Sequence, residues 1–97
     1  GDVYKRQILI SAQNSEDAFE IGYKLSKKAT ILSSAGITLY GPAPAPITRV
    51  RGRYRVRMLL KASKAVSMQS VIKVWLSGLN LRKDIRLVID VDPQSFL

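Results

Sequence analysis

The chain contains no histidine and no cysteine, and its seven carboxylates are outnumbered by sixteen lysines and arginines. Each shortage closes a class of function. Without histidine, the usual general base near neutral pH and the commonest metal ligand are gone. Without cysteine, disulfides and thiolate metal sites are excluded, a composition compatible with the cytoplasm. The acids show no metal-loop spacing, and no stretch resembles a phosphate loop with its Gly-Lys-Ser/Thr ending. Apolar runs fall far short of the ~20 residues of a membrane span. Ile8-Leu9-Ile10 is too short for a signal-peptide core. These gaps argue against an enzyme, a bound metal or cofactor, and a membrane partner.

What remains is a small basic domain. Its 97 residues are 46% hydrophobic, enough for a core, and the net charge is +9. Such a balance points to nucleic acid, an acidic protein tail or an anionic surface. Residues 1–6 resemble the read-through of a sequencing adapter and are set aside, leaving 7–97 as the domain. Removing Asp2, Lys5 and Arg6 lowers the charge only by one, to +8.

The most informative segment places Arg49, Arg51, Arg53, Arg55 and Arg57 at every second position, with Val50, Gly52, Tyr54, Val56, Met58, Leu60 and Ala62 between and beyond them. A period of two is the period of a strand. One strand over about 49–62 would carry an apolar row on one face and guanidiniums on the other, spaced by roughly 6.6 Å. That is close to the roughly 7 Å between phosphates two nucleotides apart along a strand. The plainer reading is a soluble strand face whose arginines pair with scattered acids, Asp90 and Asp92 among them.

Other elements follow from periodicity. Residues 7–13 form a strand with Ile8, Ile10 and Ala12 on one face. Asn14-Ser15-Glu16-Asp17 opens a helix expected to run to Ser34, with Ala18, Ile21, Gly22, Leu25, Ala29 and Leu32 as its buried stripe. Glu20 and Lys24 pair four residues apart. Ile37–Gly41 is a short strand, and Pro42, Pro44 and Pro46 make a stiff extended connector. Ser63 or Ser67 caps a second helix reaching Leu79, with Met68, Ile72, Trp75, Leu76 and Leu79 inward. Trp75 is read as core in preference to a stacking platform. Ile85–Val91 is the last strand, with Ile85, Leu87, Ile89 and Val91 inward and Arg86, Val88, Asp90 and Asp92 opposite. The order βαββαβ predicts an α+β fold, a four-stranded sheet with two helices on one face, S10-like or ferredoxin-like.

Three motifs then match a known family in order and spacing: Gly41-Pro-Ala-Pro-Ala-Pro46, Arg51-Gly-Arg-Tyr-Arg55 with Leu59-Leu60-Lys61, and Ile89-Asp-Val-Asp-Pro-Gln94. Residues 7–97 resemble the C-terminal domain of primosomal protein N′, the replication-restart DNA helicase PriA. The resemblance implies a bacterial, cytoplasmic parent: a 3′-to-5′ helicase of forked and recombination DNA that uses ATP, magnesium and zinc. It implies that this domain helps bind forked or branched DNA, lies against the helicase lobes, and flanks the site for the acidic, Phe-ended tail of single-stranded DNA-binding protein. The basic candidates for nucleic acid are Arg49, Arg51, Arg53, Arg55, Arg57 and Lys61. For the tail, the family's glutamine falls on Gln69 and its basic residue on Ala65, with Lys64 beside it. A stand-alone S10-like RNA-binding protein, or a structural domain docked on the helicase lobes, are the rival readings.

Overall fold

A computed structural model describes residues 3–63 and 66–91. The elements are β1 (Val3–Ala12), α1 (Ser15–Ser26), α2 (Ala29–Ser33), β2 (Ile37–Val50), β3 (Arg53–Ser63), α3 (Met68–Leu76) and β4 (Arg86–Val91). The four strands form one sheet in the order β2-β3-β1-β4, and every neighbouring pair is antiparallel. This is the expected α+β arrangement, and the core lies between the helices and one face of the sheet. Ile8, Ile10 and Ala12 of β1, Val56, Met58 and Leu60 of β3, Ala18 and Leu25 of α1, Leu32 of α2 and Trp75 of α3 are all fully buried there.

Local chemistry explains the helix starts better than their ends. The Asn14 side chain accepts the Asp17 amide at 2.9 Å, the capping bond that its position calls for. The Glu20–Lys24 pair forms, at 3.9 Å. The expected single helix to Ser34 is two helices, broken at Lys27 and Lys28. At the break, the Leu25 carbonyl accepts the Lys28 amide at 3.1 Å and the Trp75 indole N–H at 3.0 Å. A continuous helix would have offered that carbonyl to residue 29. The indole supplies a tertiary partner for the end of α1, and α2 packs against α3 and β2. Ser67 occupies the cap position of α3, and its hydroxyl pairs with Ser70 instead of a backbone amide. Gly78, with φ +78°, follows α3, which ends three residues before the expected Leu79.

Two boundaries on the sheet also differ from expectation. β1 begins at Val3, within the segment set aside, and pairs with β3 from Val3 opposite Ser63 onward. The proline segment is not a connector: β2 runs through it, with register shifts between Tyr40 and Ala43 and between Pro44 and Arg49. β2 is an edge strand, so a missing N–H can face solvent there. Pro42 is packed against α1. A Cβ placed on Gly22 would lie 2.7 Å from the Pro42 Cβ, so only glycine allows this approach.

Candidate nucleic-acid interface and docking groove

The arginine row is not one strand. A two-residue turn at Arg51 and Gly52 joins β2 to β3, with Val50 opposite Arg53. Arg49 ends up opposite Tyr54, and directly opposed residues share a face, so Arg49 lies on the helix side of the sheet. Arg51 occupies the turn. Arg53, Arg55, Arg57 and Lys61 remain together on the face that no helix covers, as the period of two requires. The alternation that grouped five arginines holds from Arg53 to Arg57 but was blind to the reversal that puts Arg49 on the other face and Arg51 in the turn.

Register adds residues that the sequence reading did not include. On β1, Lys5 opposes Lys61, while Ser11 opposes both Arg55 of β3 and Arg86 of β4. Lys5 and Arg86 therefore join the open face. Their signal was present in the alternation of β1 and β4, but Lys5 fell in the segment set aside. Gln7, Leu9, Leu59, Tyr40 and Val88 are among the other residues of that face, and Asp90 opposes Gln7. The expected pairing of Asp90 with Arg53 or Arg55 is absent from the ion pairs among the described residues. Asp92 lies outside them.

The arginines are not equivalent. Arg53 donates to the Ser11 carbonyl at 2.7 Å, to the Ser11 hydroxyl at 3.2 Å and to the Asp84 carbonyl. It is half-buried and ties β3 to the end of β1 and to the loop before β4. Arg55 donates to the Ile47 carbonyl at 3.0 Å, bridging the irregular part of β2. Arg49 reaches the Gly52 carbonyl at 3.4 Å. Tyr54 packs on the core beside Phe19, their ring centroids 6.3 Å apart, as expected of a core residue.

The second feature is a groove of about 780 Å³ between α3 and β4, on the helix side. Its lining includes apolar Ile72, Leu76, Ile89 and Val91, with Gln69, Lys73 and Arg6 at polar positions. Ile89 and Val91 have the inward register expected of them, yet they are 40% and 56% exposed because α3 does not reach over them. Gln69 lines this groove; Lys64 lies outside the described residues. Lys73 was missed, because four residues beyond Gln69 on a helix is the same face and the sequence reading stopped at the helix start. Trp75, fully buried, is unavailable for stacking. No group of three or more acids able to hold a metal occurs among the described residues, and no helix among them is long and apolar enough to cross a membrane.

Comparisons with known proteins agree on one family. Residues 4–94 match the family described as the primosomal protein N C-terminal domain. The chain is 32% identical over 89 residues to the replication restart protein PriA of Rickettsia felis, covering 92% of this chain and 13% of that protein. It is 33% identical over 61 residues to PriA of Haemophilus influenzae, covering 62% and 8%. The chain thus spans about an eighth of the length of the Rickettsia relative. A de novo designed protein, Foldit4, superposes with a TM-score of 0.66 at 10% identity, covering 96% of this chain and 99% of that one, which speaks for the fold alone. By its family match and its curated relatives, the chain belongs to the C-terminal domains of the replication restart protein PriA.

Proposed function

We propose that this domain binds DNA through the open face of its sheet and docks a protein tail in the α3–β4 groove, as part of a replication-restart helicase. The observation that supports the DNA reading is the collection of Arg53, Arg55, Arg57, Lys61, Lys5 and Arg86 on one uncovered face, with Asp90 the only described acid among them. The face reads no bases in this proposal. It tracks phosphates, so its preference for forked over linear DNA comes from the shape of the backbone it spans. The chain itself has no catalytic step.

Binding of the 97-residue chain to forked DNA, duplex, single strand and structured RNA at two salt concentrations tests this. Affinity should fall with salt, each neutralised phosphate adding about −0.9 to the log–log slope. Arg57→Ala with Lys61→Ala should reduce that slope by about two. Preference for RNA would favour the S10-like alternative. No measurable binding would leave the face as a docking surface for the helicase lobes.

The groove favours a second role beside the first. Ile72, Leu76, Ile89 and Val91 suit an aromatic side chain, and Gln69 with Lys73 suits carboxylates. An acidic, Phe-ended peptide of the kind that ends single-stranded DNA-binding protein fits both. With only this domain present, binding should be weak, about millimolar. Amide shifts in an NMR titration should cluster at Gln69 to Lys73 and diminish in Lys73→Glu. Shifts spread evenly over β3 would reduce the contact to general attraction.

A further inference from the structure

The β2–β3 turn has a feature that its job as a connector does not need. Both of its central residues are left-handed, Arg51 at φ +52° and Gly52 at φ +77°. That conformation is the ordinary one for a two-residue hairpin, and the ordinary residues for it are Asn-Gly or Asp-Gly. A short polar side chain tolerates the left-handed region by bonding locally, which arginine at this position does not do. Gly52 has open space around it, and Ile47 and Val50 nearby are 64% and 38% exposed. The neighbouring arginines brace the hairpin: Arg49 donates to the Gly52 carbonyl and Arg55 to the Ile47 carbonyl. Arg51 makes no hydrogen bond or ion pair with any described residue. An exposed cation is thus held at the apex of a braced hairpin in a conformation that disfavours it. Strain of this kind collects at binding sites.

We infer that the turn is a separate contact, in which the Arg51 guanidinium enters the minor groove of a DNA duplex while the sheet face follows phosphates. This inference rests on the reading of that face as a DNA surface. The minor groove, about 6 Å wide, admits a single extended side chain, and its narrow A·T-rich stretches attract arginine. Arg49, Arg53 and Arg55 beside it are held by backbone carbonyls, which leaves the Arg51 guanidinium as the cation at the tip, and with exposed Ile47 and Val50 next to it this matches the chemistry of minor-groove contacts.

Arg51→Asn separates the two demands on the turn. It installs the preferred Asn-Gly pair and removes the cation. The variant should melt a few degrees higher than the wild type and bind an A·T-rich duplex about tenfold more weakly. Netropsin, which fills the A·T minor groove, should displace the wild type and have little effect on the variant. Unchanged affinity in Arg51→Asn, or indifference of the wild type to netropsin, overturns the proposal. If Arg57→Ala with Lys61→Ala weakens binding while Arg51→Asn does not, only the turn contact falls. If the wild type binds no DNA at any salt, the face reading falls with it.

Discussion

Arg53 and Arg57 look alike in the sequence, yet the structure gives them different work. The Arg53 guanidinium serves two backbone carbonyls that would otherwise lose a partner. Arg53→Ala should therefore cost about 1–3 kcal/mol, read as a lower urea midpoint, before any effect on binding. Arg57→Asp should leave the fold intact, whereas Val56→Asp one position away should unfold it. Val56 is fully buried, and an unpaired carboxylate there costs several kcal/mol. Circular dichroism of the two variants checks this; equal loss of structure would refute the facing of β3. That facing was legible from alternation alone. The double role of Trp75 was not, because its hydrogen-bond partner Leu25 is 50 residues away and no local pattern records it.

At the scale of elements, the sequence revealed strands and helix starts where the signal is local, and failed where a distant residue decides. The Asn14 cap and the βαββαβ order were readable. The split between α1 and α2 depends on the Trp75 indole, and the inclusion of three prolines in β2 depends on that strand lying at the edge. The turn at Arg51-Gly52 was hidden by arginines that continue the same period on both sides of it. The same dependence makes Gly22 testable. Its Cβ position is occupied by Pro42 at 2.7 Å, so Gly22→Ala should destabilise the domain by about 1–3 kcal/mol despite a better helix propensity. A thermal midpoint equal to that of the wild type would mean that β2 yields readily to α1.

At the scale of the molecule, the missing residue types set the response to pH. With no histidine or cysteine, no side chain has an ordinary titration between pH 6 and 8. The melting temperature should stay flat to within about 2 °C across that range. The Arg82 guanidinium is held above its usual range by its hydrogen bond to Asp17, then by the charges of Asp17 and Asp84. A raised basic group lends its stability below its unfolded pKa and loses it only as pH climbs through the folded one, here in strong alkali. Both sides of the pair are surface groups, so its weight in folding is small.

The two borders of the sheet are finished differently. β2 closes one side with Pro42, Pro44 and Pro46, which have no N–H to offer a newcomer, and with two breaks in register. β4 has no proline and exposes Val88, Ile89 and Val91. Strand-by-strand growth of amyloid type needs an acceptor on both sides of every unit. This domain offers one. Two copies set β4 against β4, antiparallel about Val88, would bring Arg86 of each opposite Asp90 of the other. They would then present outward only the β2 edges, where three prolines lack an N–H and the register breaks twice, so the sheet can double more readily than it can extend.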